Sequence, residues 1–273
     1  MTDNYAVIGN PIAHSKSPRI HAAFASQTQQ DIHYDKQLVE QGKLAEAIAA
    51  FREQGGKGLN ITVPFKNDAF ALADSLTERA QLAGAVNTLV LKDDGTLHAD
   101  NTDGIGMVRD LTINHSLRIK DAKILLLGAG GAVQGVLLPL LQQQPKEIII
   151  ANRTVAKAEI LCEKFSAHGK LSASSFEALS GKSFDGIING TAASLQGEVP
   201  PLPDNLLNKG AWCYDMMYSS EPTAFVRWGI ENGAAKSIDG LGMLVEQAAE
   251  SFTLWRGIRP ETTQLIQSLR DMD

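Results

Sequence analysis

Cysteine is nearly absent from this 273-residue chain. Cys162 and Cys213 are too few for a disulfide framework, and both fall in segments that read as regular elements. Buried thiols are a simpler account than a redox pair. The six histidines form no H-x-x-x-H pair and no Cys/His cluster, so no metal site is expected. Charge of one sign never accumulates: 25 Lys and Arg against 31 Asp and Glu leave a net −6. That excludes the basic face of a nucleic-acid binder and any charged tail. The longest apolar tract, residues 123–141, is broken by glycines and Pro139, so no membrane span is expected. Met1 to Tyr5 carry neither a basic region nor a long apolar core, so no secretory signal is expected and the chain is expected to be cytoplasmic.

With 44% hydrophobic and 21% charged residues, the composition is that of an ordinary globular protein, long enough for one large domain or two ordinary ones. Tyr5–Gly9 reads as a strand, followed by a helix opening at Pro18 with Ser17 as its cap. A strand at 32–39, a helix at 43–54 and a strand at 58–63 come next, then helical material from 67 to 83. Thr88–Lys92 and Thr96–Ala99 flank Asp93-Asp94-Gly95 as a hairpin. From Gly104 strands and helices alternate: helix 104–113, strand 123–127, helix 133–144, strand 147–151, helix 154–168, strands 184–189 and 211–215, helix 222–232 and a strand near 235–238. Such alternation means a parallel sheet with helices on both faces. Helices at 241–256 and 261–271 close the chain. The natural division is two α/β domains, with hinges near Asp103-Gly104 and Asp239-Gly240.

Strand 123–127 runs straight into Gly128-Ala129-Gly130-Gly131-Ala132 and then a helix, the arrangement that presents helix N–H groups to a phosphate. The pattern departs from G-x-G-x-x-G, since position 133 is Val and the later glycine is Gly135. At the end of the next strand, where NAD enzymes offer a carboxylate to the ribose, this chain has Asn152-Arg153-Thr154 and then Lys157. Cationic and hydroxyl groups there suit a 2′-phosphate, which points to NADP. The competing account is a solvated helix start with Thr154 as a simple cap. Asn189-Gly190-Thr191 ends a later strand, at an edge where ligands sit in such sheets, or is a plain turn.

Three segments stand out before residue 104. In His14-Ser15-Lys16-Ser17-Pro18, Ser17 serves as a helix start, whereas Ser15 has no such duty. Two hydroxyls at a helix N-terminus also suit a substrate carboxylate. Asn60-Ile-Thr62-Val-Pro-Phe-Lys66 places Thr62 and Lys66 beyond a buried strand, Lys66 being either functional or solvated surface. Asp103, in Asn101-Thr-Asp-Gly104, either caps the next helix or takes part in chemistry.

Together with Gly84-Ala-Val-Asn-Thr88 and Asp239-Gly-Leu-Gly-Met-Leu-Val-Glu-Gln247, these motifs resemble the shikimate dehydrogenase family, in its order and spacing from residue 5 to beyond 250. The resemblance implies a substrate domain of residues 1–103, completed by 240–273, and a Rossmann-like NADP domain of 104–239, separated by a cleft. It implies NADPH-dependent, reversible reduction of 3-dehydroshikimate to shikimate, an aromatic amino-acid biosynthetic step, by a monomer or homodimer. Ser15, Ser17 and Tyr218 would hold the substrate carboxylate, and Thr62, Asn87, Asp103 and Gln247 the ring hydroxyls. Lys66 and Asp103 would be the catalytic pair, with Lys66 also touching substrate. Gly128, Ala129, Gly130, Gly131 and Ala132 would cradle the pyrophosphate, and Asn152, Arg153, Thr154 and Lys157 the adenosine phosphate. Thr191, Met216, Gly240 and Met243 would complete the cofactor site. Departures from the family pattern are Val133-Gln134, Lys157 in place of a frequent arginine, and Ser219–Thr223. A quinate/shikimate enzyme and a non-catalytic sensor on the same fold are the rival readings.

Overall fold

The computed structural model describes residues 2–271. They divide into two compact units, Met1–Gly106 with Val245–Ser268, and Met107–Leu244 with Leu269–Asp273. The first unit contains β1 (Asp3–Gly9), α1 (Ser17–Thr28), β2 (Ile32–Leu38), α2 (Leu44–Glu53), β3 (Gly56–Ile61), α3 (Lys66–Leu72), β4 (Ser75–Leu76), α4 (Glu78–Ala83), β5 (Thr88–Leu91) and β6 (Leu97–Asp100), and α5 (Asp103–Arg109) begins in it. Its six-stranded sheet runs β2-β1-β3-β5-β6-β4. β1 pairs in parallel with β2 and β3, and the β5–β6 hairpin joins β3 antiparallel. Both faces of β1 are covered. Ala6 and Ile8 join a core with Leu59, Ile61, Phe65 and Leu89, whereas Tyr5 and Val7 pack with Ile12, Tyr34 and Trp255. Burial on both faces is why this strand reads as a nearly continuous apolar run.

Two expectations for this unit are corrected. The helical stretch at 67–83 is two short helices, because Ser75 and Leu76 pair with His98 and Ala99. The Asp74 N–H donates to the Leu97 carbonyl, and the Asp74 carboxylate accepts from the Leu97 N–H. Thr77 then caps α4, its hydroxyl accepting from the Ala80 N–H. Sheet pairing outweighs helix propensity here. The other correction is that Ser17 does not cap α1. Lys16 holds the cap position with no side-chain cap, and the Ser17 N–H donates to the Ser15 hydroxyl at 3.3 Å.

The second unit contains β7 (Lys123–Leu127), α6 (Gly131–Gln142), β8 (Glu147–Ala151), α7 (Val155–Lys164), β9 (Leu171–Ser174), β10 (Phe184–Asn189), β11 (Leu207–Asp215), α8 (Ala224–Glu231) and β12 (Lys236–Ile238). All six strands are parallel, in the order β12-β11-β10-β7-β8-β9. The chain moves outward from β7 in one direction through β8 and β9 and in the other through β10 to β12. The crevice at such a reversal, beyond the carboxyl ends of the two central strands, is where doubly wound folds bind ligands. β9 escapes a sequence reading because Leu-Ser-Ala-Ser is short and carries no apolar run. It pairs on one side only, with β8. α5 is also shorter than expected, passing at Asp110–Asn114 into a π-helical turn. The chain then closes with α9 (Leu241–Arg256), which passes from the second unit into the first, and α10 (Thr263–Arg270).

A buried ion pair anchors the end of β6. Asp100 is almost fully buried and receives the Arg79 guanidinium at 2.8 and 2.5 Å and the Thr77 hydroxyl at 2.5 Å. Arg79 also reaches Glu250 at 3.0 Å, which pairs with Arg259 at 2.8 Å. Burial alone would raise the Asp100 carboxyl, but the guanidinium, the hydroxyl and the Asn101 N–H together hold it below the usual carboxylate range. Because the folded pKa is depressed, the pair's stabilisation is complete above the unfolded value of about 3.9 and is lost as pH falls through the lower folded value. Arg79→Met is expected to cost about 3–5 kcal/mol at pH 7 by urea unfolding, and the gap to the parent is expected to narrow below about pH 4.

Candidate active site

The first unit gathers seven of the expected positions. The loops at the carboxyl ends of β1, β2 and β3 are tied together: the Asn10 N–H donates to the Val63 carbonyl at 3.0 Å and its side-chain amide to the Val39 carbonyl at 3.0 Å, while the Thr62 N–H donates to the Ile8 carbonyl at 2.9 Å. Ser15 follows β1 and is half-buried, and Ser17 is buried, in hydrogen-bond contact with the Tyr34 phenol. Thr62 is half-buried beyond β3. Lys66 opens α3, and its carbonyl accepts from the Val86 N–H at 2.9 Å.

The Lys66 ammonium lies 2.5 Å from Asp103 Oδ2, with side-chain exposures of 28% and 16%. Both groups are therefore shielded yet reachable. The other Asp103 oxygen accepts from the Asn87 amide at 2.8 Å, so this carboxylate does more than mark the start of α5. Asn87 also approaches Gln247 Oε1 at 3.3 Å. The result is an ammonium, a carboxylate and two amides at one spot, able to give a proton, hold charge and orient hydroxyls.

In the second unit Gly128 ends the β7 strand at φ +101°, and a Cβ there would meet the Thr191 methyl at 3.2 Å. Glycine alone makes that turn without strain. Gly130 occupies the cap position of α6 without any side-chain cap, and a Cβ at Gly130 or Gly131 would meet no protein atom within 4 Å. Ala129 is half-buried and Ala132 exposed. An uncapped helix N-terminus beside open space suits a pyrophosphate. At the end of β8, Arg153, Thr154 and Lys157 are exposed, and the Asn152 amide donates to the Thr154 carbonyl at 2.8 Å. Thr154 makes no side-chain cap on α7, so capping does not explain it. These residues fit the 2′-phosphate of NADP.

Thr191 is held in a tight turn, its N–H and hydroxyl donating to Asn189 Oδ1 at 3.1 and 2.7 Å. Asn189 in turn donates to buried Asp215 at 3.0 Å. Burial pushes the Asp215 carboxyl upward against hydrogen bonds from Ser194, Thr223, Met217 and Asn189. Met216 is buried after β11, Tyr218 is half-buried two residues on, and Gly240 and Met243 are buried at the start of α9. The Gly240 N–H donates to the Met217 carbonyl at 3.0 Å. Burial pushes the Cys213 thiol up to about 12, which makes it an inert core residue.

Sequence reasoning missed Ser251, and gave Asn60, Thr88 and Thr102 no role. All four are buried polar residues that surround Asn87. A polar side chain within an otherwise apolar strand, as at Asn60, and a serine one helical turn beyond Gln247 were the available signals.

A doubly wound sheet with exposed cationic side chains beyond its second strand, together with a lysine–carboxylate pair, is the build of a nicotinamide-dependent oxidoreductase. The shikimate dehydrogenase substrate-binding domain family matches residues 7–89, the shikimate/quinate 5-dehydrogenase family 111–196, and the shikimate 5′-dehydrogenase C-terminal domain family 240–270. The chain is 60% identical to the shikimate dehydrogenase (NADP(+)) of Cellvibrio japonicus, covering 99% of this chain and 98% of that one. Among solved structures it is similar to an Ael1 enzyme from Pseudomonas putida, with TM-score 0.94 and 48% identity over 98% of both chains. It is also similar to shikimate 5-dehydrogenase from Thermus thermophilus in complex with NADP(H) and shikimate, with TM-score 0.86 and 29% identity over 99% of both chains. The chain belongs to the shikimate dehydrogenase family, NADP-dependent oxidoreductases of the shikimate pathway that act on a CH–OH group.

At Gly106, in α5, a Cβ would lie 2.7 Å from the Gln247 backbone nitrogen and 2.9 Å from its Cα. Gly106→Ala is therefore expected to push α9 outward and to destabilise the fold by about 1–3 kcal/mol, measured by urea unfolding.

Proposed function

We propose that the chain interconverts 3-dehydroshikimate and shikimate with NADP, as a cytoplasmic monomer or homodimer, with Lys66 and Asp103 as its catalytic pair. The observation that carries this reading is the 2.5 Å contact of Lys66 Nζ with an Asp103 carboxylate whose other oxygen is held by Asn87. Bound NADPH supplies the hydride. Lys66 places a proton and a positive charge where reduction of a ring ketone develops an alkoxide. Asp103 orients that ammonium. In the oxidative direction the same nitrogen, uncharged, takes the hydroxyl proton. Ser15 and Ser17, with Tyr218, receive the substrate carboxylate, and Thr62, Asn87, Asp103 and Gln247 take the hydroxyls. Residues 1–103 with 240–273 serve the substrate, and 104–239 serve the cofactor.

Gly128, Ala129, Gly130, Gly131 and Ala132 hold the pyrophosphate. Asn152, Arg153, Thr154 and Lys157 hold the 2′-phosphate, with Lys157 as a point charge rather than a fork. Thr191, Met216, Gly240 and Met243 line the remainder of the cofactor site.

Reduced-nicotinamide absorbance followed with shikimate or quinate, each with NADP or NAD, tests the activity. Turnover should be fastest with shikimate and NADP. Faster turnover with quinate and NAD would replace this reading with the quinate enzyme, and silence with all four pairs would replace it with a sensor. Lys66→Ala is expected to lower kcat by about two to four orders of magnitude with a much smaller change in KM for shikimate; near-normal turnover would remove Lys66 from the mechanism. Arg153→Ala should raise KM for NADP roughly tenfold to a hundredfold, the loss of one charge-assisted hydrogen bond, and leave KM for NAD unchanged.

A further inference from the structure

Behind Asp103 lies a run of buried polar side chains within one unit, and two backbone groups fix its polarity. The Thr102 N–H donates to Asn87 Oδ1 at 2.9 Å. A backbone N–H can only donate, so Asn87 turns its oxygen toward it and its NH₂ toward Asp103 Oδ1 at 2.8 Å. The second anchor is the Asn87 carbonyl, which can only accept and lies 3.2 Å from Asn60 Nδ2. The Asn60 oxygen therefore faces the Tyr34 phenol at 2.7 Å, and Tyr34 must donate. Burial raises the Tyr34 phenol well above its ordinary range, so that proton stays in place. The neighbouring ring of His21 stacks on Tyr34 with centroids 4.1 Å apart. Burial lowers the His21 imidazole to about 3, which leaves it uncharged.

Two hydroxyls bridge the amides. Asn60 Nδ2 lies 3.0 Å from Ser251 Oγ, Ser251 Oγ lies 2.7 Å from Thr88 Oγ1, and the Thr88 hydroxyl donates to Asn87 Oδ1 at 2.9 Å. With both ends fixed, the shorter contact of Ser251 with Thr88, at 2.7 Å against 3.1 Å to the Gln247 carbonyl that the Ser251 hydroxyl also reaches, allows the protons to run in one sense from Tyr34 through Asn60, Ser251, Thr88 and Asn87 to Asp103. Lys66 meets the same carboxylate from the other side at 2.5 Å.

We propose that Tyr34, Asn60, Ser251 and Thr88 are positioning residues for the dehydrogenase reaction, a one-directional hydrogen-bond chain that locks the Asn87 amide against Asp103 and so sets the aim of Lys66. The proposal rests on the assignment of Lys66 and Asp103 as the catalytic pair. Aligned hydrogen bonds in a buried site strengthen one another, and an amide held by two donors on its oxygen cannot flip. Thr88 is the link whose loss is most readable. Without its hydroxyl, Asn87 Oδ1 loses one of its fixed donors, and the serine and threonine bridge no longer reaches the amide.

The test compares Thr88→Val, which keeps the shape and removes the hydroxyl, with Thr88→Ser, which keeps the hydroxyl and removes a methyl. kcat per folded enzyme is measured beside the thermal midpoint, with Lys66→Ala as reference. Thr88→Val is expected to lower kcat about threefold to tenfold, the worth of one net hydrogen bond, while Thr88→Ser returns it to within about twofold of the parent and KM for NADPH stays constant. A residue that merely packs would give the reverse order, valine at or above serine, and that order overturns the proposal. Equal kcat in the two variants overturns it as well, whatever the thermal midpoints do. If Thr88→Val does not fold, Ser251→Ala takes its place: kcat reduced at least twofold with unchanged KM for NADPH supports the chain, and parental kcat overturns it. Near-normal turnover of Lys66→Ala would instead defeat the assignment of the catalytic pair, an outcome separate from failure of the chain behind it.

Discussion

The architecture of the first unit turns on one carboxylate. Asp103 sits at the first residue of α5, directly after the strand whose end is anchored by the Asp100–Arg79 pair. It faces a lysine that opens a different helix, α3. Neither side chain could hold this geometry on a flexible loop. Lys66 is fixed because its carbonyl is bonded to Val86, next to Asn87, and Asp103 because Asn87 reaches its second oxygen. The segment before β5 thus grips both members of the pair, one through the backbone and one through a side chain. Placing side chains on rigid elements and supporting them from behind is what holds such a pair within a narrow range of geometry.

The second unit uses a different kind of precision. Its glycine turn offers space and backbone dipoles more than side chains: open volume at Gly130 and Gly131 and no side-chain cap on α6. The structure there is defined by what is left out. The neighbouring turn at Asn189–Thr191 is, by contrast, densely bonded through Asp215. A loose cradle beside a stiff turn lets the backbone come close to an anion while the sheet edge keeps its shape.

Much of this is legible in the sequence, for identifiable reasons. The parallel sheet of the second unit announces itself through apolar runs such as Lys123–Leu127 and Glu147–Ala151, since strands buried on both faces must be apolar throughout. β9 carries too little apolar surface to be seen, and the break between α3 and α4 depends on pairing with β6, a partner more than twenty residues away. At the site, Lys66, Asp103 and the glycine turn stand out because their residue types are unusual for their positions or recur in a family pattern. Thr88 and Ser251 do not. A threonine in a strand and a serine in a helix are commonplace, and only the folded register brings their hydroxyls to 2.7 Å. Ser17 misleads for a related reason, since the Ser15 side chain takes up its N–H.

The division of the chain has a consequence for its birth on the ribosome. The first unit needs Val245–Ser268 to be complete, yet Met107–Leu244 are made in between. At ordinary translation speeds that interval lasts roughly seven to thirty seconds. Throughout it the β1–β6 sheet waits without Gln247, Ser251 and Trp255, its buried hydroxyls and amides lacking their last partners. The nucleotide-type unit, continuous over nearly its whole length, is free to fold first. The second unit's sheet can therefore be complete before the first unit receives the α9 partners of Asn60, Thr88 and Asn87.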